Sequence, residues 1–311
     1  MSKFILKRIL YTIPTLFMVA FIVFSIMSLT PGDPGRLVLG PQAKQEVVDQ
    51  FNKEVGATGP FFVRFFRYIK GIVTEFDFGV SYRTKGPVQE EIIARFPTTL
   101  TLALLGVVVQ SVIGVALGIL SAVKQYSFAD ISTTVFAMFM ASVPVFWFGL
   151  MLIYVFAVKM GVLPPNGIGT WKHYILPLLA ISIPGASTII KMTRTSMLET
   201  IRQDYVRTAR AKGATEKIVI WKHAFQNALM PIITSLAMSF SLLLGGAMVT
   251  EQVFAIPGLG TAMITAIRMK DTPQVMAITL FLAALFCLIM LVVDIAYALV
   301  DPRIKAKYIG K

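Results

Sequence analysis

Few residues in this 311-residue chain have the type and spacing that a reaction needs. No Gly-x-x-x-x-Gly-Lys-Ser/Thr loop offers a phosphate cradle, no His-Glu-x-x-His offers a zinc pair, and no Gly-x-Ser-x-Gly offers a strained nucleophile. The single Cys287 lies in an apolar run, and two histidines without a Cys-x-x-Cys do not make a structural metal site. The chain is therefore expected to be no enzyme and to hold no cofactor of its own; any ATP must be handled elsewhere. Ion-coupled transport would place ionisable groups near the middle of apolar stretches. Only Asp294 falls clearly inside one, close to its end, while Lys159, Lys191 and Glu251 are expected at span ends within reach of water.

What remains is a polar interruption that runs from Asp204 through Gly213 to Asn227. Leu198, Ile201, Tyr205, Thr208 and Ala209 recur at helical spacing before the glycine, and Ile218, Trp221, Ala224, Phe225, Ala228 and Leu229 recur after it. Two amphipathic helices meeting at a glycine are predicted, with Arg202, Arg207 and Arg210 on the polar face of the first. Two readings fit: a basic loop lying on anionic lipid, or a docking element whose small joint (Ala209, Ala211, Gly213, Ala214) lets another backbone come close.

The elements that must position this segment are hydrophobic. With 56% hydrophobic and 14% charged residues and a mean hydropathy of +0.74, the chain has more apolar material than one soluble core buries, so its solvent is a bilayer. Six stretches are long enough to cross about 30 Å of hydrocarbon: 9–29, 98–123, 131–158, 174–190, 231–250 and 273–293. The first resembles a signal peptide but is too long, and Ser28-Leu29-Thr30-Pro31 is a poor cleavage site, so it reads as a retained span. Pro144 is expected to interrupt the third span, and Pro177, Pro184 and Gly185 the fourth. Gly114 and Gly118 make a small-x-x-x-small packing face on the second.

Residues 31–97 form a near-neutral subdomain, with nine basic and eight acidic residues and short helices predicted at 42–52 and 60–74. The unbalanced charge sits elsewhere. Lys3, Lys7 and Arg8 precede the first span, residues 191–229 hold eight basic against three acidic residues, and 301–311 hold four against one. An even number of spans puts all three on one side, the cytoplasm, with both termini inside and the 31–97 subdomain outside. Basic residues beside apolar runs, without aromatic interleaving, argue against nucleic acid as the partner of a chain of net charge +13. The expected fold is all-α and integral to the membrane: 1–30 a tail and first span, 31–97 the outer subdomain, 98–300 a core carrying a cytoplasmic coupling loop at 195–230, and 301–311 a tail.

Tyr205-Val206-Arg207-Thr208-Ala209-Arg210-Ala211-Lys212-Gly213 followed by His223-Ala224-Phe225-Gln226-Asn227 resembles the coupling loop of permeases of ATP-binding-cassette importers. That loop's general pattern is Glu-Ala-Ala, three residues, Gly, nine residues, then Ile-x-Leu-Pro. Only Ala209 and Gly213 match it outright; Arg207 in the place of the leading Glu is similar to the dipeptide/oligopeptide/nickel branch. Further fragments carry the resemblance along the chain: Pro31-Gly32-Asp33-Pro34, Phe78-Gly79-Val80-Ser81, Arg95-Phe96-Pro97-Thr98-Thr99-Leu100, Phe254-Ala255-Ile256-Pro257-Gly258-Leu259-Gly260 and Tyr297-Ala298-Leu299-Val300-Asp301-Pro302-Arg303. The long outer segment resembles the first permease of a pair. The resemblance implies import of peptides, or of a nickel chelate or glutathione, in a bacterial or archaeal plasma membrane. It implies as partners a second permease, two cytoplasmic ATP-binding subunits that hold the ATP and magnesium, and an extracytoplasmic solute-binding protein. Its coupling positions fall on Tyr205, Arg207, Ala209, Gly213, Glu216, His223 and Asn227, while Gln110, Ser142 and Asn166 are polar groups at or near spans that could face a pathway. An ion-coupled transporter or a membrane scaffold would lack the ATPase partners.

Overall fold

The structure is a computed structural model and describes residues 2–300, so the basic 301–311 tail lies outside the described residues. Among the described residues the chain is helical, with a single isolated antiparallel bridge between Val80 and Pro87. Five helical stretches are long and apolar enough to cross a membrane: Leu10–Leu29, Val88–Val123, Lys172–Ile201, Glu216–Gly245 and Thr272–Ile295. A sixth candidate is the pair Phe128–Ser142 and Val145–Lys159, bent by 100° at the Pro144 break that the sequence predicts.

Helix α1 (Ser2–Leu29) takes the N-terminal basic residues into its first turns. In the outer segment come α2 (Pro34–Leu39), α3 (Gln45–Glu54) and α4 (Phe61–Glu75), the last two close to the expected 42–52 and 60–74. Asp33 caps α2 by accepting from the Arg36 amide at 3.2 Å, with Pro34 at the first helical position. Helix α5 (Val88–Val123) begins ten residues before the expected edge of the second span, because Pro97 lies inside it rather than ending it. At 1.5 Å per residue its 36 residues reach about 54 Å, well beyond the hydrocarbon.

Helix α6 (Phe128–Ser142) starts at Ser127, whose hydroxyl accepts from the Asp130 amide. Beyond Pro144, α7 (Val145–Leu152) winds into a π-helical stretch, Ile153–Lys159. Helix α8 (Lys172–Ile201) corrects an expectation: Pro177 and Pro184 lie inside an unbroken 30-residue helix. Polar bonds to α5 brace the helix beside Pro184: Gln110 donates to the Ile181 carbonyl at 3.2 Å, and the Ser182 hydroxyl to that of Gly106 at 3.1 Å. Then follow α9 (Asp204–Ala211), α10 (Glu216–Ile218), a second π-helical stretch (Val219–Phe225), α11 (Gln226–Gly246), α12 (Met248–Val253), α13 (Leu259–Arg268) and α14 (Thr272–Val300). Glu251 on α12 is fully buried, against the expectation that it reaches water; it packs inside the chain, and the Ile256 amide donates to its carbonyl at 2.8 Å. Asp294 is half-buried on α14.

The contacts of the described residues gather into two units: residues 2–99 with 257–291, and residues 100–256 with 292–300. Residues 31–97 are therefore not a compact unit by themselves; they group with α1, α13 and the start of α14. In this first unit α4 runs antiparallel to the second half of α1. Phe17, Phe21 and Phe24 meet Phe61 and Phe65 edge-on with ring centroids 5.3–5.9 Å apart. Asp271 caps α14 and accepts from the Ser81 hydroxyl at 2.5 Å, which pins the 79–88 hairpin to that helix.

In the second unit the glycines of α5 meet α8 in a fixed register. A Cβ on Gly106 would touch Ile181, one on Gly114 would lie 2.5 Å from the Ile189 Cβ, and one on Gly118 2.5 Å from the Thr193 Cβ. The offset is 75 each time, so α5 and α8 run parallel with their backbones close. Helix α6 begins beside the end of α8, where Asp130 meets Arg194, and Leu152 of α7 shares a core cluster with Leu176 near the start of α8. Residues 124–171 therefore travel back along the length of α8.

Candidate coupling site

The polar interruption folds as a short crosspiece between two long helices. Helix α8 ends at Ile201, two residues connect, and α9 spans Asp204–Ala211. Asp204 stands in the first turn of α9 and Arg210 in the last, the arrangement that complements the helix dipole. The helix ends in a Schellman turn: the Gly213 amide donates to the Arg210 carbonyl at 2.9 Å and the Ala214 amide to that of Ala209 at 3.2 Å, with Gly213 at φ +81°. Nothing lies within 4 Å of where a Gly213 Cβ would stand, so within this chain the glycine serves the left-handed turn and not a close contact.

After the turn, Glu216 starts a helical run that continues through the π-helical stretch into α11, so the second amphipathic helix is the forward end of a membrane helix. Val206 and Ala209 are buried on the underside of α9, and Val219 and Ala224 of the π-helical stretch are buried beneath. Ala224 packs in turn with Ile119 and Ala122 of α5, Met197 of α8, and Ala228 and Ile232 of α11. The Arg210 guanidinium closes the corner on Glu216, Nε to Oε1 at 2.7 Å and Nη2 to Oε2 at 3.2 Å, and this bond holds Arg210 above its ordinary pKa. Both groups are well exposed, so the pair fixes geometry more than it adds stability.

The seven positions singled out from the sequence divide by exposure. Tyr205, Arg207, Gly213, Glu216 and Asn227 are exposed, His223 is half-buried with its carbonyl accepting from Asn227 Nδ2 at 2.7 Å, and Ala209 faces the chain's own interior. Ile218 and Trp221 are exposed as well, the latter edge-on to Phe225. The three candidate pathway groups do not converge. Gln110 is buried between α5 and α8, and a Cβ on Gly185 would overlap its amide. Ser142 is exposed and bonds back to the Met138 carbonyl, and Asn166 is exposed in the loop before α8.

One group near the crosspiece escaped the sequence reading. Asp130 is 3% exposed and receives Arg194 Nε at 2.7 Å and Nη2 at 2.9 Å, the Ser121 hydroxyl, and the Tyr126 amide at 2.9 Å. The arrangement ties α5, α6 and α8 together about two turns before α8 ends at Ile201. Arg194 counted only among the basic residues of 191–229, Asp130 lay outside every predicted element, and nothing in the sequence signals that residues 64 apart will pair.

Two family models match the chain: "Binding-protein-dependent transport system inner membrane component" over residues 114–306, and the N-terminal part of such components over residues 1–103. The chain is 39% identical over 307 residues to the glutathione transport system permease protein GsiC of Escherichia coli K12, covering 99% of this chain and all of that one. It is 40% identical over the same length to GsiC of Salmonella paratyphi A. Among solved structures, an inward-facing MetNI methionine ABC transporter matches with a TM-score of 0.57 at 19% identity, over 68% of this chain and 96% of that one. An amino acid ABC transporter matches with a TM-score of 0.51 at 16% identity, over 69% and 94%. The several apolar helices and the family description make this a multi-pass protein of the plasma membrane. The chain belongs to the family of binding-protein-dependent inner-membrane transport components, as a permease of an ABC importer in the peptide and nickel branch.

Proposed function

We propose that this permease pairs with a second, related permease and imports small peptides, glutathione among them, handed over by an extracytoplasmic solute-binding protein. Two cytoplasmic subunits bind and hydrolyse the ATP and magnesium, and this chain catalyses nothing. The glutathione reading draws on the 39–40% identity to GsiC, and glutathione is itself a tripeptide. The chain crosses the membrane six times with both termini in the cytoplasm. Parallel α5 and α8 support that count, because the bent pair between them has to return across the membrane, and the basic 191–229 segment supports the orientation.

The observation that carries the proposal is the crosspiece. Helix α9 hangs between the ends of two membrane helices with two residues on one side and four on the other, over a buried underside. A push on α9 by an ATPase closing around ATP is passed to α8 and α11 with little slack. The exposed Tyr205 and Arg207 present the docking face, while Ala209 and Gly213 shape it from below and behind.

Gly213→Val tests the transmission, since a β-branched residue resists φ +81°. In proteoliposomes holding the whole importer, ATP hydrolysis is expected to persist while uptake falls by about tenfold, the consequence of roughly 1–2 kcal/mol of backbone strain at the joint; unchanged uptake would count against the transmission role. Ala209→Asp forces a carboxylate under α9 and is expected to reduce co-purification of the ATPase subunits. Full complex yield from that variant would refute the docking geometry.

A further inference from the structure

The first unit holds an open cavity of about 820 Å³ between the end of α1, the turn before α2, the loop after α3, one side of α4 and the turn into α14. Its lining carries four basic residues, Lys53, Arg64, Arg67 and Lys270, against three acidic ones, Asp33, Glu54 and Asp77, but the two innermost cations keep donors to spare. Lys270 is 9% exposed, and its ammonium donates to two backbone carbonyls, that of Gly32 at 2.6 Å and that of Thr30, which leaves a third N–H. Arg64 donates Nη1 to the Ala57 carbonyl at 2.6 Å and Nη2 to the Ser28 hydroxyl, and its Nε is buried without an acceptor. The Tyr68 hydroxyl, also on the cavity wall, is likewise buried without a partner. No carboxylate lies within ion-pairing distance of either cation among the described residues. The nearby Asp33 is occupied, accepting from the Asn52 amide at 2.8 Å and from the Arg36 backbone.

The backbone argues in the same direction. Lys270 occupies the left-handed position after α13 at φ +52°, with the Asp271 amide donating to the Ala266 carbonyl at 2.8 Å. Glycine is the residue that suits this turn, so a lysine here holds its ammonium in place at a cost of about 1 kcal/mol. Burial, then the positive charge of Arg64, push the Lys270 ammonium below its ordinary pKa, as expected for two cations facing one space.

We infer that this cavity is a binding site for an oxyanion group, with Lys270, Arg64 and the Tyr68 hydroxyl as its donors. A bound oxyanion would accept the third Lys270 N–H, the Arg64 Nε–H and the phenol proton, satisfying donors that no carboxylate of the described residues reaches directly. The carboxylate of a small solute and the phosphate of a lipid headgroup present this same chemistry. The inference does not depend on the coupling mechanism, because every residue in it belongs to the first unit.

The test uses the full chain in dodecyl maltoside, a phosphate-free detergent, with dialanine, dialanine amide and phosphatidylglycerol as probes. If the source is a solute, dialanine raises the unfolding midpoint by roughly 2 °C or more at saturation and the amide, which lacks the carboxylate, does not. If the source is a lipid, phosphatidylglycerol gives that rise and is retained in the native mass spectrum. In either case Lys270→Gln and Arg64→Gln each weaken binding by at least about tenfold, the loss of one charge-assisted bond. The inference is overturned if neither probe shifts the wild-type chain, if the amide stabilises as well as dialanine, or if the shift survives in both variants. The wild-type measurements decide even where a variant fails to fold.

Discussion

Replacing Asp130 by alanine is expected to destabilise the second unit by about 3 kcal/mol and to cut the yield of folded protein severely. The variant strands the Arg194 guanidinium, which is otherwise held at 2.7 and 2.9 Å, and removes the acceptor of the Ser121 hydroxyl and the Tyr126 amide. The estimate sits at the low end for a broken buried pair because the Arg194 side chain keeps 28% of its exposure and can draw some solvation. The double variant Asp130→Leu with Arg194→Met leaves no stranded charge and is expected to recover most of the loss, since an ion pair's desolvation cancels much of its attraction. Thermal unfolding of the single and double variants in detergent checks both statements. A single variant no worse than a surface substitution would show that the tie between α5, α6 and α8 is dispensable.

The second large effect is expected at Gly118. A methyl group there would lie 2.5 Å from the Thr193 Cβ and 2.9 Å from the Ile190 carbonyl oxygen, neither of which can swing aside. Gly118→Ala is therefore expected to cost about 1–3 kcal/mol by forcing α5 and α8 apart, and Gly118→Leu to prevent the pair from forming. Gly106→Ala is the internal contrast. Its nearest atom, at 2.9 Å, is the tip of the Ile181 side chain, which has rotamers to move into, so a much smaller loss is expected. Unfolding midpoints for the three variants, ranked in this order, would support the register; an equal effect at 106 and 118 would contradict it.

The candidate site was legible in the sequence to an uneven depth. The helical periods on either side of Gly213 anticipated a crosspiece, and Gly213 sits where a helix must stop and turn. The sequence did not show that Ala209 packs inward. Tyr205 and Ala209 are four residues apart, yet the first is exposed and the second buried, because α9 covers the π-helical stretch and that contact selects its face. Prolines misled in the other direction. Pro177 and Pro184 read as breaks, yet both lie within a helix packed against its neighbours, whereas Pro144 does divide its span.

Composition and hydropathy alone determined that the chain lives in a bilayer, where its long apolar stretches lie, and that the basic excess flanks them. These properties depend on transfer from water to hydrocarbon, which acts residue by residue and needs no knowledge of neighbours. Local spacing likewise determined the crosspiece and its glycine. Only the tertiary structure decided which charges pair, that Asp130 meets Arg194 and that Lys270 and Arg64 line one cavity with no carboxylate of the described residues within ion-pairing distance of either. It alone set the parallel register of α5 on α8, and joined the outer segment to the start of α14. Such choices rest on contacts between residues 64 to 240 positions apart, from Asp130–Arg194 to Thr30–Lys270, and a one-dimensional pattern carries no record of which distant partners will meet.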